Sequence, residues 1–514
     1  MLFNSHEFIF LFLPLVLIIF YLFRKLKLAS SAFIFLAFAS LYFYAYWKVE
    51  YLILIVVSIL TNYFIARNLY LSKTPGNRHL FLIFGVSFNL VLLCYYKYTG
   101  FFLASINSVW ETKFPVFQVI LPIGISFFTF QQIAFLVDVY KRVAEPYSLV
   151  NYVLFVTFFP QLIAGPIVHH AQMMPQFERP LVGISKNLSI GVSIFIIGLL
   201  KKVVIADSLS VYARALFDGD ISPSGLDTLS AWTGVLAYTF QLYFDFSGYS
   251  DMAIGLARIF GIVLPENFYS PYKAGSIVEF WRRWHITLST FLKDYLYIPL
   301  GGNKNGTLLR YRNLLITMVI GGLWHGAGWG FVVWGGLHGV YLVINHLWHK
   351  TELCSTIKNI LLWRLLSWLL TFTAVVIGWV FFRSDSISGA VLILNAMFDF
   401  SQLTISDGDL DKYLVFQWPP ILDINSIWDL PKLNSLKIGS WILIMSTGVI
   451  ALLLPNTQQI FAKYNPVIEL FENRKISLLT WTPNLRWSIL ITSAFVLSLL
   501  MMAENSSEFL YFQF

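Results

Sequence analysis

Between Leu314 and Ile344 the chain carries no Asp, Glu, Lys or Arg, a run longer than the roughly 20 helical residues that cross a bilayer. Comparable apolar runs recur near 7–23, 29–47, 50–66, 79–98, 116–139, 149–165, 187–206, 229–260, 312–346, 362–382, 439–455 and 487–503. The chain is 57% hydrophobic and 12% charged, where soluble domains carry about 25% charged residues. These features predict an all-α polytopic integral membrane protein. A transmembrane β-barrel is excluded, because its strands alternate over about ten residues and these runs are continuous. Met1–Phe23 has neither a basic leader nor a small-residue cleavage site, so it is expected to stay as a first membrane helix. Cys94 and Cys354 suggest neither a disulfide framework nor a metal site, and no His-Glu-x-x-His pattern points to zinc. The net charge of +8 reflects loop topology rather than nucleic-acid binding.

Basic residues sort the loops. Arg24, Lys25 and Lys27 follow the first span, Arg67, Lys73 and Arg78 the third, and Lys141 and Arg142 the fifth. The loops around Lys48 and from Thr99 to Lys113 have little basic excess. This alternation predicts external N- and C-termini and a cytoplasmic segment from Lys273 to Arg312. The stretch 383–437, with seven Asp against four Lys and Arg, is expected outside, and Arg474, Lys475 and Arg486 inside. The whole chain, 1–514, reads as one membrane domain: N-terminal helices over 1–110, a core over 115–350, the loop 383–437, and a last helix with an aromatic tail over 487–514.

His325, within Gly321-Gly322-Leu323-Trp324-His325-Gly326, sits in the charge-free run. An ionisable group at membrane depth is costly and by default marks a functional site facing the protein interior. Polar or broken segments also interrupt other spans: Leu121-Pro122-Ile123-Gly124, Pro160 to Pro166, and Asp245 to Asp251. Irregular backbone survives there only where protein or water covers it, so the middle third should surround a cavity, in an enzyme or in a transporter. Glu279-Phe280-Trp281-Arg282-Arg283-Trp284-His285 reads in three ways: an interfacial amphipathic helix, a binding element for an anionic donor, or the carrier of a second histidine that joins His325. His338 lies 13 residues beyond His325 and reads as packing if the helix continues. Asp245 and Asp251 should be scaffold carboxylates neutralised by an Arg or Lys such as Arg258.

Several of these motifs carry a resemblance. Pro265-Glu266-Asn267-Phe268-Tyr269-Ser270-Pro271-Tyr272, Phe280 to His285, Tyr295 to Asn303 and Gly321 to Gly326 resemble the signature of the membrane-bound O-acyltransferase family. The likeness extends through Pro160–Pro166 and Tyr243–Gly261, and is strongest to the bacterial branch that serves alginate O-acetylation. The resemblance implies a ring of tilted helices around a tunnel where the membrane is thinned. It also implies that His325 matches the catalytic histidine and His285 its partner. A thioester is an activated acyl donor, so transfer to a hydroxyl needs a positioned base and exclusion of water more than a metal. Trp281, Arg282, Arg283, Trp324, His169 and His170 are expected to line the donor site or tunnel.

The tail Phe509-Leu510-Tyr511-Phe512-Gln513-Phe514 has three readings. It is an interfacial aromatic anchor, a remnant of a protease-tag site, or a counterpart of the Phe-x-Tyr-Phe motif of polysaccharide-acylating relatives. On the last reading Tyr511 is an acyl relay. The expectation is an acetyltransferase of the bacterial cytoplasmic membrane with no bound cofactor. It takes acetyl from a cytoplasmic thioester, acetyl-CoA, for an extracytoplasmic transferase or relay protein that O-acetylates a polysaccharide, alginate above all. Peptidoglycan or cellulose O-acetylation, D-alanyl transfer and, from another class, solute transport are the alternatives.

Overall fold

The computed structural model describes residues 1–116, 119–145, 147–219, 226–304, 306–399, 401, 436–469, 471, 479–502 and 510. Tyr511, Arg474, Lys475 and most of 383–437 lie outside them. The described residues form helices and connecting loops, with one isolated parallel bridge, Pro265 to Ile468. In chain order the main helices are α1 (Phe8–Lys25), α2 (Ala29–Ala45), α3 (Glu50–Leu71), α4 (Pro75–Trp110), α5 (Ile125–Tyr140), α6 (Leu149–Thr157), α7 (His170–Phe177) and α8 (Ile184–Phe217). There follow α9 (Thr228–Ile259), α10 (Ile277–Arg283), α11 (Ile286–Leu292), α12 (Thr307–His325), α13 (Trp329–Trp348), α14 (Leu361–Arg383), α15 (Ile387–Phe398), α16 (Leu436–Leu453) and α17 (Leu485–Met502). Among the described residues, seven of these (α1, α3, α4, α8, α13, α14 and α17) are long and apolar enough to cross a membrane. The protein is therefore a multi-pass membrane protein.

The chain divides into two compact units. The first holds Met1–Phe195, Tyr249–Glu266 and Lys463–Glu472. Its helices pack through aromatic rings, with Phe8, Phe12, Phe43 and Phe159 in mutual contact and Phe3 against Phe8 and Phe43. Where α8 meets α9 the backbones nearly touch: a Cβ on Gly191 would lie 2.6 Å from the Gly255 carbonyl oxygen. Small residues allow this approach, which substitutes for hydrophobic driving force inside a bilayer. Polar side chains also pair across helices, which lowers the cost of burying them. The Asn62 and Asn89 side-chain amides bond each other at 3.2 and 2.6 Å.

The second unit holds Ile196–Gly248, Asn267–Ala462 and Asn473–Phe514. Its centre is the hairpin α12–α13, with α14 against α13. Glycines set the hairpin spacing, since a Cβ on Gly322 would collide with the Phe331 carbonyl oxygen and one on Gly335 with that of Met318. The apolar run over 312–346 is not one continuous helix. Instead α12 ends at His325, and α13 starts at Trp329 after extended backbone at Gly326 and Gly328. The Phe331 ring fills the space a side chain at position 326 would need. The expected span 149–165 is likewise cut short after Thr157 by a turn at Phe158, followed by Pro160.

Candidate functional site

His325 is the last residue of α12, and its ring is buried in an aromatic wall. Ring centroids lie 4.9 Å away for Trp324, 5.1 Å for Trp334 of α13 and 5.3 Å for Phe382 of α14. The imidazole of His285 stands 6.4 Å from it, centroid to centroid. Two histidines forty residues apart in the chain are thus brought to one site, which spacing alone could not establish.

His285 caps α11 in left-handed backbone, φ 41° and ψ 55°. A non-glycine residue held in that region stores on the order of 1–3 kcal/mol, which the surroundings must offset. Those surroundings are specific. The His285 amide's neighbour Ile286 donates its N–H to the Asn267 carbonyl at 2.9 Å, and Thr287 donates its hydroxyl to Asn267 Oδ1 at 2.9 Å. His285 Nδ1 lies 3.0 Å from the same oxygen. An amide oxygen only accepts, so Nδ1 carries the proton and Nε2 is the basic nitrogen. Phe246 meets the ring edge-on at 4.8 Å. Burial pushes the His285 pKa down to about 3, leaving the ring neutral near pH 7.

His338, expected to be packing, is packed. With the helix broken after His325, α13 folds back and places His338, fully buried, beside Trp334 and Trp379. Trp281 Nε1 donates to His338 Nδ1 at 3.2 Å, which puts the proton of that ring on Nε2. Gly378 allows this: a Cβ there would lie 3.0 Å from His338 Nε2. The spacing of 13 residues did not place His338 against the same aromatic wall as His325, because a continuous helix would hold the two apart.

The other expected site residues fall in different places. Trp324 joins the wall, between His325 and His285, whose ring lies 6.1 Å away. Trp281 packs on Trp334 and His338. Arg282 is exposed. Arg283 pairs with Glu279 at 2.6 Å and donates to the Tyr269 carbonyl at 3.1 Å. It also lines a cavity of about 1020 Å³ with Lys273, Lys358, Arg364, Trp368 and Tyr341. Tyr341 in turn packs 5.7 Å from His338, so the basic cavity abuts the aromatic wall.

His169 and His170 belong to the first unit, where both Nε2 atoms reach Asp138 Oδ2, at 2.6 and 3.1 Å. Their ligand-type atoms lie within 4.8 Å of one another, the spacing of a metal-binding trio. The Ala171 N–H donates to His169 Nδ1, however, so His169 Nε2 carries the proton and the trio is a carboxylate clamped by imidazoles. Asp245 is neutralised by Lys202 at 2.6 Å, not by Arg258. Arg258 instead donates to the carbonyls of Tyr464 and Asn465. The backbone N–H of Leu510, beside Tyr511, donates to Asp245 Oδ2 at 3.1 Å.

Residues 84–382 match the model of the membrane-bound O-acyltransferase family. Among curated proteins, the chain is 48% identical over 387 residues to a peptidoglycan O-acetyltransferase of Helicobacter pylori, covering 70% of this chain and 72% of that one. It is 37% identical over 494 residues to a probable alginate O-acetylase of Pseudomonas putida, covering 93% of both chains. A teichoic acid D-alanyltransferase of Streptococcus thermophilus is 27% identical over 318 residues, 55% of this chain and 74% of that one.

Proposed function

The chain belongs to the membrane-bound O-acyltransferase family and is an acyltransferase, and we propose that it moves acetyl from cytoplasmic acetyl-CoA to an extracytoplasmic polysaccharide, with His325 as base and Tyr511 as relay. The observation that carries this reading is the meeting of His325 and His285 at 6.4 Å inside a buried aromatic wall. The adjoining cavity supports the donor assignment. Lys273, Lys358 and Arg364 suit phosphates, and Trp363 and Trp368 suit a stacked adenine.

In the first step the Tyr511 hydroxyl oxygen attacks the thioester carbonyl carbon while His325 takes the phenolic proton. The carbon–sulfur bond breaks, and the proton passes to the departing thiolate. Free CoA thiol and an acetyl-tyrosine ester result. His285, neutral and fixed by Asn267, orients the donor or His325 through Nε2. In the second step an acceptor hydroxyl attacks the tyrosyl ester and the phenol is regenerated. A phenol of pKa about 10 leaves more readily than an alkyl alcohol, so the relay ester keeps the acetyl group activated. The aromatic wall keeps water from competing.

Alginate as final acceptor is supported by similarity over nearly the whole chain to a probable alginate O-acetylase. Peptidoglycan is supported by the higher identity, over a shorter match, to the Helicobacter protein. Proteoliposomes given labelled acetyl-CoA and either polymer, with its external transferase, test the proposal. Wild type releases CoA and labels one polymer; His325→Ala does neither. Full polymer acetylation by His325→Ala refutes the assignment of the base.

A further inference from the structure

Asp245 lies near the middle of the 32-residue helix α9, 1% exposed. A buried carboxylate needs a counter-charge, and the sequence builds one. Gly248 lets α9 press on α8, since a Cβ at 248 would lie 2.8 Å from the Gly198 carbonyl oxygen and 3.1 Å from the Lys202 amide nitrogen. At that crossing α8 widens into a π-helical stretch, Lys201–Ala206, a local distortion frequent at functional sites. Lys202 Nζ thereby reaches Asp245 Oδ1 at 2.6 Å and Asp207 Oδ1 at 2.8 Å.

An ion pair alone would use only one oxygen of Asp245. The other accepts the backbone N–H of Leu510 at 3.1 Å, and the Leu510 side chain is buried. The last helix α17 packs on the same stretch, Lys201–Ala206. One residue beyond Asp245, Phe246 lies edge-on to His285 at 4.8 Å. Asp245 is thus one residue from a ring that packs on His285.

We propose that Asp245, held by Lys202, is a dock for the C-terminal segment of this same chain and a positioning residue that sets the register of that segment beside His285. A backbone contact suits such a dock. It fixes where the segment stops without depending on its side chains. The inference rests on the relay reading only for its consequence in transfer; the docking itself is measured on the tail.

The test uses the full-length protein in lipid nanodiscs and follows hydrogen–deuterium exchange of the peptide containing residue 510. Leu510→Pro deletes the donor N–H near the chain end, where the helices do not depend on it, while Leu510→Ala keeps the N–H. Asp245→Leu deletes the acceptor and leaves Lys202 its second partner, Asp207. A hydrogen bond to a charged group predicts that Leu510→Pro and Asp245→Leu speed exchange of the neighbouring tail amides about tenfold or more, while Leu510→Ala stays well short of that. Equal exchange in Leu510→Pro and Leu510→Ala overturns the dock, as does wild-type exchange in Leu510→Pro. If Asp245→Leu does not fold, the two position-510 variants decide alone. The ratio of acetyl on the tail to CoA released should fall in Leu510→Pro; an unchanged ratio overturns the positioning role. A wild-type protein that releases no CoA refutes the acetyl-CoA reading instead, and leaves the exchange result to judge the dock.

Discussion

At the scale of the residue, His285 is a neutral imidazole set in an aromatic wall. Because burial holds His285 near pKa 3, acetyl transfer should show no loss traceable to this residue as pH falls from about 8 to 5. Asn267→Asp sets a carboxylate on Nδ1–H and favours the imidazolium, raising the His285 pKa. A new acid limb should then appear in the pH–rate profile, with activity falling as pH drops through the raised value; an unchanged profile counts against the tautomer assigned here. The same depressed pKa has a stability consequence. Unfolded His285 binds a proton below about pH 6.5 and the folded residue does not, so its contribution to stability is lost as pH falls from about 6.5 towards 3. Lys202→Met strands two buried carboxylates and should cost about 3–5 kcal/mol, read as loss of folded protein in detergent. The burial of His325 and His338 was legible in the sequence because both lie in a charge-free span. The partners of Asp245 were not, because Lys202 is 43 positions away and only the α8–α9 crossing brings it close.

At the scale of the element, the α12–α13 hairpin decides where His325 points. A methyl group at Gly322, one turn before His325, meets the Phe331 carbonyl and cannot fit without moving a helix. Gly336, on the same hairpin, has nothing within 4 Å of an added Cβ. Gly322→Ala should therefore lower the thermal midpoint in detergent by several degrees and reduce acetyl transfer more than tenfold, as overpacking costs about 1–3 kcal/mol. Gly336→Ala should match wild type in both, and equal behaviour of the two variants argues against backbone contact as the determinant. The apolar runs announced the helices themselves, and Pro160 and Gly165 announced a break in the sixth. The break after His325 was invisible, since Gly326-Ala327-Gly328 sits inside uninterrupted apolar sequence and the Phe331 ring that excludes a side chain is a tertiary contact. That one hidden break is why the nearness of His338 to the wall around His325 was not legible.

At the scale of the whole molecule, the protein is a membrane acyltransferase whose donor and acceptor are proposed to arrive from opposite faces. Each unit solves the membrane's polar problem locally, with Asn62–Asn89 and Asp138–His169–His170 in the first and Lys202–Asp245 in the second. The class was readable from hydropathy and the family from its motifs. The acceptor polymer was not, because relatives named for peptidoglycan and for alginate both resemble this chain. The proposed relay at Tyr511, whose neighbour Leu510 bonds Asp245, makes the tail part of the reaction rather than an interfacial anchor. Its most direct test is mass spectrometry of the C-terminal peptide after one turnover with labelled acetyl-CoA, without acceptor. The account predicts one labelled acetyl group on Tyr511 in wild type, and none in His325→Ala or Tyr511→Phe. An unlabelled wild-type peptide, with Tyr511→Phe still acetylating polymer at the full rate, would contradict it.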